Sequence, residues 1–107
     1  MKNDGTYFLT FGFQNGIIRK YYPTEIYSFV WEDIEFFTHR VILGVKDENP
    51  IYSQQFWQVT HKGSGMSLQI EGATKIDDAK KQAITSLEDF GIAKICEIIN
   101  KAKEIIK

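Results

Sequence analysis

The chain has 107 residues, of which 43% are hydrophobic and 25% charged, and a net charge of −1. That is the composition of a globular protein and the length of one domain, 1–107, which argues against long disordered segments and tandem functional units. Split after Gln54, the charge divides into about −2 and about +1, too mild to point to a polyanionic partner. A single cysteine, Cys96, allows no intrachain disulfide. The first residues lack the basic start and apolar run of a signal peptide, and no apolar stretch approaches the ~20 residues that span a bilayer. A cytoplasmic protein with no membrane association is the expectation.

Tyr7, Leu9, Phe11 and Phe13 alternate with Phe8, Thr10, Gly12 and Gln14, and Asn15-Gly16 follows, the dipeptide most favoured in type I′ turns. This predicts a first hairpin over about residues 6–22. Its two-residue loop would set Phe13 opposite Ile18, Phe11 opposite Lys20 and Leu9 opposite Tyr22. After Pro23, the stretch from Thr24 to Phe37 is ambiguous. Ile26, Phe29, Val30 and Phe37 suit a helix, while the aromatic and β-branched content suits a strand, and a short helix is the preferred reading. Phe36 to Val45 is apolar and β-rich, which predicts a third strand ending near Lys46 at the turn cluster Asp47-Glu48-Asn49-Pro50.

The second half is more regular. Trp57, Val59 and His61 alternate with polar neighbours, as do Met66, Leu68 and Ile70, and Lys62-Gly63-Ser64-Gly65 lies between them, predicting a second hairpin. Thr74 followed by Asp77 has the form of a capping box, and Ile76, Ala79, Ala83, Leu87 and Phe90 recur at helical spacing. Beyond them Ile92, Ile95, Cys96, Ile99, Ala102 and Ile106 form a stripe offset by half a turn, which suggests two helices broken at Gly91. A second stripe, through Ile84, Leu87, Gly91, Ile95 and Ile98, runs straight on. A continuous helix would be roughly 45 Å long against a domain diameter of ~26 Å, so two helices suit a monomer and one long helix implies a homodimer through this segment. The expected fold is therefore α+β, an antiparallel sheet of about five strands in two hairpins, packed against one or two C-terminal helices.

No metal, nucleotide or nucleophile signature occurs, so no catalytic residue, cofactor or metal is expected. His61 beside Lys62, Gly63, Ser64 and Gly65 is the best candidate for a small anionic or nucleotide ligand, because backbone N–H groups of a glycine-rich turn can cradle a phosphate or carboxylate. Glu35, His39 and His61 have the donor types of a metal site but come from elements of uncertain type; His39 is read as the partner of a local carboxylate. Cys96 is read as a buried, inert thiol. Trp31, Trp57, Tyr21, Tyr22, Tyr27 and Tyr52 are more large amphipathic side chains than so small a core readily hides, and such residues favour interfaces.

The segment Phe56 to Phe90, with Lys62, Lys75, Lys80 and Lys81 near a hairpin tip and a helix start, resembles in architecture the small sheet-reading modules that precede phage integrase domains. That resemblance implies a ββα module that binds nucleic acid. The leading expectation is different: a stand-alone protein that occludes a protein partner, such as an inhibitor, immunity or anti-defence factor encoded by a phage or plasmid, acting through Tyr27, Trp31, Glu32, Asp33 and Glu35.

Overall fold

The computed structural model describes residues 2–14, 17–47, 49–68 and 70–106, and leaves aside the side chains of 11–18 and 102–107. Five strands precede two helices: β1 (Leu9–Gln14), β2 (Ile17–Tyr21), β3 (Tyr27–Trp31), β4 (Ile34–Lys46), β5 (Asn49–His61), α1 (Ile76–Phe90) and α2 (Ile92–Ile106). The fold is α+β with about five antiparallel strands, arranged as a two-stranded sheet, β1–β2, and a three-stranded sheet in the order β3–β4–β5.

The first hairpin forms as expected, although its tip, Asn15-Gly16, lies outside the described residues. Its register departs from the expectation. Phe13 pairs with Ile18, but Phe11 pairs with Arg19 and Leu9 with Tyr21, because an extra residue in β1 at Gly12 makes a bulge. The one-residue slip brings Tyr21 rather than Tyr22 opposite Leu9. Leu9 and Tyr21 are buried, and Tyr22 is exposed.

Residues 24–37 are not helical. Tyr27, Phe29 and Trp31 alternate with exposed Ser28 and Val30 in β3, and Glu32 and Asp33, with φ of 50° and 62°, turn the chain directly into β4. Two consecutive residues at positive φ make the type I′ turn whose twist matches a hairpin. Strand β4 thus begins at Ile34, two residues before the expected Phe36. The turn cluster after it is shorter than expected, since Asn49 and Pro50 already pair with Lys46 and Val45; Glu48 lies outside the described residues.

The predicted strand from Met66 to Ile70 is reduced to a segment that touches β5 at intervals. Leu68 N–H donates to Val59 O (2.8 Å) and His61 N–H to Met66 O (2.8 Å), and farther on Trp57 N–H donates to Ala73 O (2.8 Å). The five expected strands therefore exchange one member, β3 entering and 66–70 leaving.

The three-stranded sheet is covered on both faces. Paired residues of an antiparallel sheet share a face, so Phe29, Phe36 and His61 lie on one side, and Phe37 and Thr60 on the other. The first side meets the helices. Phe29, Phe36, Trp57 and Val59 pack with Ala79, Ala83 and Leu87 of α1 and Ile95 of α2, the small alanines letting α1 sit close to the sheet. On the second side Phe37 packs with Leu9 and Ile26, and Tyr7 and Ile42 close the cluster.

Helix α1 starts at Ile76 with Lys75 at its N-cap and no side-chain cap, so the Thr74–Asp77 capping box does not form. Of its predicted stripe, Ala79, Ala83 and Leu87 are buried, while Phe90 is exposed. Gly91, at φ 83°, ends α1 and opens α2 at once. Its N–H donates to Leu87 O (2.9 Å), and its own carbonyl accepts Ile95 N–H (3.1 Å). The break removes the premise for a homodimer built on one long helix. Cys96 faces solvent instead of the core, the buried side of α2 being that of Ile95. No helix among the described residues is long and apolar enough to cross a membrane.

Candidate functional site

The glycine turn after β5 is built into the fold. Ser64 and Gly65 are buried, as is His61. Ser64 Oγ lies 2.6 Å from His61 Nδ1 and accepts Met66 N–H at 3.2 Å, while the His61 ring meets Phe36 edge-on at 5.5 Å. The turn also carries the contact between the sheets. Thr10 N–H donates to Gly65 O (2.9 Å), and the Thr10 hydroxyl donates to Ser64 O (3.2 Å). The cavity bordered by His61, Ser64, Phe36 and Ile95 has a volume of about 40 Å³, little more than one water molecule and far below the ~300 Å³ at which ligand pockets begin.

Lys62 points to the other side of the turn. Its Nζ lies 3.5 Å from Glu35 Oε1 and 4.9 Å from the centre of the Tyr7 ring. Tyr7 donates its hydroxyl to Glu35 Oε2 at 2.5 Å, and this bond to a carboxylate, with burial added, raises the phenol above its ordinary value. Lys62, Glu35 and Tyr7 therefore tie the N-terminal segment to β4 and the turn. Gly63 is the exposed member of the set.

The residues assigned to a partner contact are divided by the sheet. Tyr27 and Trp31 lie on the helix side and pack against its core, Tyr27 meeting Trp57 edge-on at 5.9 Å and donating its hydroxyl to Glu25 Oε1 (2.6 Å). Glu35 lies on the opposite side with Tyr7, and Glu32 and Asp33 form the exposed β3–β4 turn. The lysines are equally scattered in role. Lys80 covers Phe29 at 5.5 Å, and Lys81 lines a shallow groove with Glu71 and Asp89.

His39 has no carboxylate partner. It is wholly buried on β4, with Nδ1 2.8 Å from Arg40 O and Nε2 2.6 Å from Thr60 Oγ1, which lies 2.8 Å from Ser67 Oγ. A carbonyl can only accept, so Nδ1 carries the proton, Nε2 accepts from Thr60, and Thr60 accepts from Ser67. Among the described residues no group of His, Cys, Asp and Glu side chains could hold a metal ion. Burial lowers the imidazole from 6.5 to about 4. Below pH 6.5 the unfolded chain thus binds a proton that the folded chain refuses. The stability that His39 contributes is complete above pH 6.5 and falls as pH drops through 4, by about 3 kcal/mol in all. Urea midpoints measured between pH 7 and 4 should fall more steeply for the wild type than for His39→Gln; parallel slopes would refute the assignment.

No motif or spacing marks the site that remains. Strand β3 pairs with β4 only over residues 34–38, and the 66–73 segment reaches β5 only as far as Trp57. Residues 40–46 and 49–56 continue beyond as a two-stranded ribbon with two irregularities. Three extra residues in β5 sit between the Arg40–Trp57 and Ile42–Tyr52 pairs, and one extra residue in β4, Leu43, sits before Gly44–Ile51. Ser53 organises the first by accepting the N–H groups of Gln55 (3.0 Å) and Phe56 (2.9 Å). The bulge borders a groove of about 270 Å³ lined by Val41, Phe56, Trp57 and Ile70. Leu43, Val45 and Ile51 are 66%, 40% and 46% exposed. Alternation could have marked the ribbon as a strand, but no periodicity shows that a neighbouring strand stops short. Compared with protein-family models, curated proteins and solved structures, the chain matches none.

Proposed function

We propose that this chain is a binding module that occludes a protein partner, and that the free end of the β4–β5 ribbon makes the contact. The observation that carries the reading is the exposure of Leu43, Val45 and Ile51 on a ribbon that extends past its neighbours. Ile51 lies on the Gly44 face of the ribbon and Val45 on the other, so apolar side chains are exposed on both faces of its free end, and a partner that takes up this end removes apolar area from water. The bulges support the same reading, since bulges re-aim side chains at functional edges. The burial of His61 and Ser64 and the small cavity beside them weigh against a ligand at the glycine turn. The opposed charges at Lys81, Glu71 and Asp89 weigh against a polyanion.

Glu32 and Asp33 sit at the far end of β4 from this surface, roughly 30 Å away along the strand at about 3.3 Å per residue. They belong to a different face of the molecule. Leu43→Lys with Ile51→Lys should cut retention of a host-extract partner on the immobilised chain by more than tenfold and leave the unfolding midpoint nearly unchanged, since neither side chain is buried. Equal retention by the double variant, or no retained protein, would contradict the reading.

A further inference from the structure

We infer that the outer edge of β4, residues 40–46, is a strand-addition site for an extended partner segment with an apolar centre and acidic ends. The inference rests on the reading of the ribbon as a binding surface and names which edge is used and by what chemistry. The two edges of the ribbon differ. On β5 the edge is interrupted by Pro50, which has no N–H to donate, and by the three-residue bulge that ends at Phe56, both devices that block strand pairing. On β4 the run Val41-Ile42-Leu43-Gly44-Val45 holds no proline and no charge. Beyond Thr38 no backbone group of a described residue pairs with this edge on the side that β3 leaves; the Arg40 carbonyl is held by His39 Nδ1, so the open backbone begins at Val41.

A bare edge pairs with any strand unless charge selects. Here the run is bracketed by Arg40 and Lys46, and among the described residues neither makes an ion pair; Arg40 lies over the Trp57 ring at 4.4 Å and donates from Nη1 to Ser53 O (3.5 Å), while Lys46 is exposed. A second copy of this chain is the wrong occupant. Antiparallel self-pairing centred on Leu43, the register that pairs the whole open stretch, sets Arg40 opposite Lys46 with no acidic residue in 40–46 to relieve the repulsion. An incoming strand with Asp or Glu at each end and alternating apolar residues between them satisfies the backbone, covers Leu43 and Val45, and neutralises both cations.

The test uses the full chain and two fluorescent peptides, Glu-Val-Thr-Val-Thr-Val-Glu and its counterpart with lysine at both ends. Anisotropy should show the acidic peptide binding at least tenfold more tightly, with affinity falling as salt is added. Lys46→Glu, an exposed position, should shift the preference toward the lysine peptide. Equal affinities, or a preference that Lys46→Glu does not move, would overturn the inference. So would sedimentation showing a dimer that Leu43→Lys abolishes, since the edge would then be covered by a second copy. Retention of a partner that depends on Leu43 and Ile51, without any charge preference among the peptides, would remove this inference and leave the proposed function standing.

Discussion

Gly65→Ala is expected to lower stability by about 2–4 kcal/mol, the combined effect of a left-handed backbone and a clash with main-chain atoms. Gly65 has φ of 73°, and a Cβ placed there would lie 2.7 Å from the Thr10 backbone nitrogen and 2.8 Å from its Cγ2. Thr10 N–H is the group that bonds to Gly65 O. The methyl group therefore fits only if β1 withdraws from the turn and the junction between the two sheets opens. Gly63→Ala is the control. Its φ of 100° imposes similar backbone strain, but the nearest atom is His61 Cε1 at 3.9 Å, so its cost should stay near 1 kcal/mol. Urea unfolding of both variants reads the difference; equal losses would show that the Thr10 junction contributes little.

Phe37→Ala should cost about 3–5 kcal/mol, the range for removing a fully buried aromatic ring. Phe37 is the β4 side chain that joins the second face of the main sheet to Leu9 and Ile26, with Tyr7 edge-on at 5.2 Å and the His39 ring at 5.3 Å. Its removal leaves a cavity under the β1–β2 hairpin as well as lost contact area. Val30 lies on the same face but is exposed, and Val30→Ala should change stability by no more than about 0.5 kcal/mol. Comparable losses for the two variants would mean that the second face is not a packed core.

The sequence was legible where local chemistry and burial agree. Both ends of the first hairpin, the strand through Trp57 and Val59, and the helix carried by Ala79, Ala83 and Leu87 could be read from period alone. The half-turn offset between two stripes pointed to the break at Gly91, but the second stripe running through it left one continuous helix equally open, and only the structure decides between them. The β3–β4 hairpin was hidden because its I′ turn is made by Glu32-Asp33, with Glu an uncommon residue at positive φ and no glycine beside it, instead of the Asn-Gly that announces such turns. Ile26 and Val30 strengthened a false helical stripe, one being buried in the second core and the other exposed. The strand expected over 66–70 had the right alternation, yet its backbone meets β5 only at points.

The candidate site was the least legible part, for a physical reason. His61, Ser64 and Gly65 have the residue types of a ligand turn, and only tertiary contact with Thr10 shows that they join two sheets. Tyr27 and Trp31 have the chemistry of interface residues, but their alternation with Ser28 and Val30 turns them toward the helices. Exposure of Leu43, Val45 and Ile51 depends on where other strands end, which is not encoded in those residues.

Amide hydrogen exchange on the chain, free and with its captured partner, addresses the proposed mode of action directly. Contact through the ribbon requires that protection on binding be concentrated in residues 40–46 and the facing part of β5, with the 61–66 turn unchanged. Protection confined to the glycine turn or to the β3–β4 turn, with the ribbon exchanging as in the free chain, would contradict it.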